Sequence, residues 1–295
     1  MTTLLPAPAL STDTTASTRT LSGWRELGFL ALLYVAYAVS RVFADDSMAP
    51  ARERAFRIHS LEDSMLLDVE QAVTSWFVDH DAAGLMAAYY YASAHYLVTA
   101  IVLVGLFLGR KGAYARARQT LVASTLVALI GYLLVPTAPP RLVRFPDLMA
   151  MHAAQGWWGE AASAPQGMGW MTNQLAALPS MHAGWALWVA LALTAATGNR
   201  ALRAAGWAHA VITVVVVIGT GNHWLLDVVA GWAIVLVVWR MLALAAHGGL
   251  RHQGRPRSCR ACAESRASLS PRQDARARCA QGRRRSSSTS AAARL

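Results

Sequence analysis

The sequence predicts an all-α, polytopic membrane protein: a six-transmembrane-helix bundle carrying an amphipathic helix and a long loop on its extracytoplasmic side. Three observations lead there. Apolar residues make up 55% of the 295 and charged residues only 15%. The apolar residues run in unbroken blocks near the ~20 residues one membrane crossing requires, rather than in amphipathic stripes. The net charge of +11 is also unevenly placed: the segment from His247 onward holds 12 of the 27 Lys and Arg against Glu264 and Asp274, which leaves the first 246 residues at +1.

Taken in order, residues 1–23 are rich in Thr, Ser, Ala and Pro without periodicity, and read as a disordered leader. They lack the charged start and small-residue cleavage pattern of a signal peptide. Six blocks follow that are long enough to span: Leu27–Phe43, Gly84–Leu108, Gln119–Val135, Met181–Thr197, Ala204–Gly219 and His223–Ala245. Residues 24–246 thus form the membrane domain, and residues 247–295 an Arg-rich, disordered cytoplasmic tail.

Orientation follows from the Lys/Arg bias of the connections. The stretch Arg110–Arg118 after the second block, Arg200 and Arg203 after the fourth, and the tail after the sixth are all basic. The segment Ala44–Ala83 instead carries nine acidic residues against three Arg, and Pro136–Pro179 is near neutral. Both termini are therefore expected in the cytoplasm, and an even number of crossings satisfies this. From Phe56 to Phe77, Leu61, Met65, Val69, Val73 and Trp76 recur at helical spacing, with Glu62, Asp63 and Glu70 elsewhere on the wheel. That pattern predicts one interfacial amphipathic helix. The outer loop before Leu178 contains Trp157, Trp158 and Trp170, aromatics suited to the headgroup layer.

The chemistry-bearing residues fall at the outer ends of these spans. Pro136-Thr137-Ala138-Pro139-Pro140-Arg141 stops the third span. Ser180 after Pro179 is a good N-cap for the fourth, which places His182 in its first turn. Gly221-Asn222-His223 opens the sixth, and Asp227 lies four residues beyond His223 on the same helix face. Helix starts expose N–H groups and a partial positive charge, a natural anion site. With Arg141 as a bidentate partner, two such ends predict a phosphate cradle at headgroup level. His223 is the candidate nucleophile, Asp227 the carboxylate holding its opposite ring nitrogen, and His182 the acid for the departing oxygen.

These residues carry a resemblance. Pro179-Ser180-x-His182 and His223-x-x-x-Asp227 resemble the second and third signature motifs of the type 2 phosphatidic acid phosphatase superfamily. Pro136–Arg141 looks like the variant first motif of its inositol phosphorylceramide synthase-like branch. The resemblance covers about residues 25–245 and implies a phosphohistidine on His223, with Asp227 orienting and His182 as general acid. It implies no metal and no cofactor. The sequence departs from the broader pattern at two places: Val217 stands where an Arg is usual, six residues before His223, and Met181 replaces a Gly. Phosphate charge must then be met by other groups, Arg141 first, with Arg144 and Arg41 behind it. Ser180, Asn222 and His95, the last inside the second span, complete the expected substrate contacts.

The expected activity is cleavage or transfer of a phosphate-linked lipid headgroup on the extracytoplasmic leaflet of the cell membrane, with water or an alcohol such as a polyol as acceptor. A non-catalytic phospholipid-binding or transport protein is the rival, but no inverted repeat supports it. His209, at the inner end of the fifth span, reads as structural, and Arg240 as an interfacial anchor. Cys259-x-x-Cys262 with Cys279 and His252 fits zinc spacing poorly. The basic tail is suited to anionic lipid rather than nucleic acid, for which no aromatic or fold motif is present.

Overall fold

A computed structural model describes residues 23–44, 46–109, 111–158, 166 and 172–253. It is 78% helix, and no strand occurs among the described residues. Nine helices are described: α1 Gly23–Val42, α2 Met48–Ser64, α3 Glu70–Asp79, α4 Asp81–Gly109, α5 Lys111–Leu134, α6 Leu148–Met151, α7 Met181–Ala196, α8 Arg200–Gly219 and α9 Leu225–Gln253. A 3-10 turn at Pro140–Leu142 lies between α5 and α6. One folded unit extends to Met241; of the second, Leu242–Gln253 is described and is helical. The rest of the predicted leader and tail, with the three cysteines, lies outside the described residues.

Among the described residues, four helices are long and apolar enough to cross a membrane: α4, α5, α8 and the Leu225–Ala245 part of α9. The 16-residue α7 is apolar but shorter. Each predicted block nonetheless coincides with a helix, because unbroken apolar runs with good helix formers leave few competing conformations. Bulky apolar residues such as Ile101, Val104 and Leu108 on α4 and Val237 and Leu244 on α9 stand exposed, as lipid-facing side chains do.

Small residues set the interhelical distance where α7 meets α8. Ala186, Ala190 and Ala210 are fully buried together, and a Cβ on Gly206 would lie 3.2 Å from the Ala190 Cα. Helices without bulky side chains at the contact approach closely and gain dispersion contacts. Three indoles of the bundle satisfy their N–H groups internally: Trp188 donates to the Ala117 carbonyl at 2.7 Å, Trp185 to Thr125 Oγ1 at 3.0 Å and Trp232 to the Ala183 carbonyl at 3.1 Å. At the other end, Glu26 of α1 accepts from Tyr114 at 2.8 Å and pairs with Arg118 on α5.

Three expectations change here. The basic stretch Arg110–Arg118 is not a separate loop: α5 begins at Lys111, so Arg116 and Arg118 sit in its first turns, Arg116 over the Trp239 ring at 4.7 Å. The single helix expected over Phe56–Phe77 is two, α2 and α3, broken around Leu66, which adopts φ +57°. Their polarity is divided in an unexpected way. Leu61, Met65 and Trp76 are exposed, whereas Glu62 and Glu70 are fully buried against the bundle. Finally, Trp158 is not at the surface; it is fully buried and donates to the Met149 carbonyl at 2.9 Å, while Trp157 remains exposed.

Candidate active site

Three chain segments meet at one end of the bundle. The segment after α5 enters through Thr137, whose N–H donates to the Leu175 carbonyl at 2.7 Å and whose carbonyl accepts from Ala177 at 3.2 Å. This short parallel pairing locks the Pro-rich corner to the segment leading into α7. Ser180 then caps α7, its hydroxyl accepting from the Ala183 N–H at 3.4 Å. The loop from α8 to α9 turns at Gly221, which has φ +71°. A side chain is excluded there by conformation and by space, since a Cβ would lie 2.8 Å from the Pro146 carbonyl.

The turn presents His223 to a cavity of about 450 Å³, whose walls include His95, His182, Arg141, Asn222 and Arg41. That volume falls within the range of small-molecule sites. The His182 and His223 ring centroids are 5.7 Å apart, so one phosphoryl group can touch both. His95 lies against His182 with centroids 3.8 Å apart, and Tyr91 stacks on His182 at 4.4 Å and 14°. His182 Nε2 is buried and has no hydrogen-bond partner among the described residues.

The partner of His223 differs from the expected one. Its Nδ1 lies 2.9 Å from the Ala177 carbonyl and 3.6 Å from Asp227 Oδ2. A carbonyl only accepts, so Nδ1 carries the proton and Nε2 keeps its lone pair in the neutral ring. Asp227 is a near charge rather than the direct partner. Its Oδ2 instead accepts from the Trp224 N–H at 2.8 Å, and its own carbonyl accepts from the Ser180 N–H at 2.9 Å, tying the start of α9 to that of α7.

The start of α9 is not an open anion site. Its first N–H groups are taken by carboxyl oxygens: Trp224 by Asp227, Leu225 by Glu70 Oε1 at 2.8 Å, and Leu226 by Glu62 Oε1 at 2.7 Å. An anion in the cavity must therefore meet other groups. Arg141 lines the cavity wall. Its Nε donates to Asn222 Oδ1 at 2.9 Å, its Nη1 to Asp147 Oδ2 at 3.1 Å, and its backbone N–H to the Gly221 carbonyl at 2.8 Å. Arg41 reaches the cavity from α1, held by Asp46 and by the Thr172 carbonyl at 3.0 Å. Arg144 does not join them: its guanidinium meets His59 Nε2 at 3.0 Å, away from the cavity wall. His209 sits apart, hydrogen-bonded to Tyr90 at 2.6 Å, as a structural residue would be.

Sequence reasoning missed two residues, Glu62 and Glu70. Burial pushes the Glu62 carboxyl up to about 8 and raises that of Glu70, in both cases against the opposing pull of the backbone N–H each accepts. Only their occurrence as acids in an otherwise apolar periodic pattern could have signalled them. Among the described residues no group of three or more His, Cys, Asp or Glu is arranged to hold a metal ion.

Compared with known proteins, the chain matches the family model described as the PAP2 superfamily over residues 57–241, which contain both histidine motifs and the Pro-rich corner. No curated protein and no solved structure matches it.

Proposed function

Since the chain belongs to the PAP2 superfamily, we propose that it is an integral membrane lipid-phosphate phosphatase or phosphotransferase working through a phosphohistidine. The observation that carries this reading is the 5.7 Å separation of the His182 and His223 rings on the wall of one cavity that Arg141 also lines. His223 Nε2 attacks phosphorus in line, the P–N bond forms as the P–O bond to the leaving group breaks, and His182 gives that oxygen its proton. The imidazole's developing positive charge is offset by Asp227, while the Ala177 carbonyl keeps the proton on Nδ1. Water or an alcohol then attacks the phosphoenzyme, with His182 accepting its proton. No metal or cofactor is needed for these steps.

The resemblance of Pro136–Arg141 to the inositol phosphorylceramide synthase-like motif supports transfer over hydrolysis, with a polyol as the acceptor class. The charge bias of the connections supports six crossings, with α1 and α7 joining the four helices that are both long and apolar enough to span. It also supports residues 24–246 as the membrane domain, cytoplasmic termini and a site at the extracytoplasmic face of the cell membrane.

The test uses purified protein, lipid phosphates of several headgroups, and candidate alcohols. Wild type releases or transfers phosphate and can be trapped as an acid-labile phosphoenzyme; His223→Ala does neither. Turnover by His223→Ala at the wild-type rate refutes the nucleophile. Lipid uptake by wild type without phosphate release would favour transport.

A further inference from the structure

The two buried glutamates belong to no step above, yet each binds the backbone of the helix that follows the nucleophile. We propose that Glu62 and Glu70 are positioning residues that fix the start of α9, and with it His223, from the outer segment α2–α3. The inference rests on the phosphohistidine reading for its consequence and on geometry for its substance.

The first three N–H groups at the start of α9 donate to no helix carbonyl, and helices commonly satisfy such groups from their own first turn or from water. Here only Trp224 is served locally, by Asp227. Leu225 and Leu226 are served by carboxyl oxygens 155 and 164 residues away in sequence. Glu62, Glu70 and Asp227 are all fully buried. Gathering three carboxyl groups out of water is costly, and a polar residue near the helix start would satisfy the same donors with less desolvation. What the remote pair adds is a fixed position: a donor held by a side chain of another element cannot slide along its axis. His223 precedes these donors directly. Its ring depends on the 2.9 Å bond to Ala177, and its distance from His182 depends on the Asp227 carbonyl to Ser180 bond. A shift of the α9 start changes both.

The test compares full-length protein carrying Glu62→Met or Glu70→Met, which remove the acceptor, with Glu62→Gln or Glu70→Gln, which keep an oxygen facing the N–H. Folding is checked by gel filtration and thermal unfolding in detergent. The proposal expects folded Met variants whose kcat falls by up to about 100-fold, the scale of ångström misplacement of a reacting group, at unchanged KM. It expects rescue by Gln. A folded Met variant with wild-type kcat, or one changed only in KM, overturns it. If the Met variants do not fold, Glu70→Asp takes their place, since it keeps the carboxyl group but withdraws the oxygen by one methylene. Reduced kcat at constant KM then supports the proposal, and unchanged kcat overturns it. A second readout does not depend on turnover: the rate at which diethyl pyrocarbonate modifies His223, followed by mass spectrometry. If wild type proves inactive on every phosphate ester, the enzymatic reading fails by itself, and an unaltered modification rate in Glu70→Asp still overturns the positioning role.

Discussion

Gly231 is the most sensitive test of how closely the two histidine-bearing helix starts must approach. It lies on α9 where that helix crosses the N-cap of α7, and a Cβ there would stand 2.1 Å from the Ser180 carbonyl oxygen and 3.0 Å from its carbon. Both atoms are backbone, so no rotamer can relieve the contact. Reaching even 3.0 Å, the shortest tolerable approach, requires the helices to part locally by about 0.9 Å. Two energies oppose each other in Gly231→Ala. Ala is favoured over Gly in a helix by about 1 kcal/mol, whereas forcing a methyl group into packed backbone costs about 1–3 kcal/mol. The net loss is a small part of the roughly 5–15 kcal/mol that holds a domain folded, so the variant should fold. Its displacement, however, falls on the Ser180–Asp227 bond and on the His182–His223 spacing, where ångström errors cost up to about 100-fold. The assay is kcat on a lipid phosphate for folded protein, with Gly105→Ala on α4 as control, since nothing lies within 4 Å of a Cβ there. A Gly231→Ala protein with wild-type kcat would refute the claim that these helix starts form one reacting unit.

Further outcomes follow from the same geometry. Asp227→Asn should keep an oxygen for the Trp224 N–H but lose the charge near His223; because the Ala177 carbonyl already fixes the tautomer, kcat should fall by about 10–100-fold, less than where a carboxylate sets the tautomer itself. Arg141→Ala should abolish most activity, while Arg144→Ala, outside the cavity wall, should leave kcat/KM unchanged; steady-state kinetics on both checks this. Glu62 titrates at 4.5 when unfolded and at about 8 when folded, so the folded state holds the extra proton between these values. Its contribution to stability is complete below 4.5 and is lost as pH rises through about 8; thermal midpoints across this window should decline for wild type and flatten for Glu62→Gln.

Much of the site was legible because its parts are local signals. Ser180 caps its helix within three residues, Asp227 lies one turn from His223, and Pro136–Arg141 ends a helix by covalent constraint alone. Spacing of four predicts a direct bond between Asp227 and Nδ1; it does not reveal that a carbonyl 46 residues upstream comes nearer. The sequence puts Arg141 ahead of Arg144 as a phosphate partner, but both are guanidinium groups of one short segment. The Gly221 turn that receives the Arg141 backbone, and the His59 ring that takes Arg144, separate them.

The sequence by itself determined that this chain is a helical membrane protein, where its long apolar helices lie, and which histidines stand at their starts, since apolar runs and caps act within a few turns. Tertiary structure alone decided that Glu62 and Glu70 leave water to hold the α9 backbone, that Ala177 sets the His223 tautomer, and that the free end of α9 is closed to phosphate. Each of these depends on groups far apart in sequence meeting in a low-dielectric interior, where an unsatisfied N–H is expensive and the nearest acceptor, whatever its place in the chain, prevails.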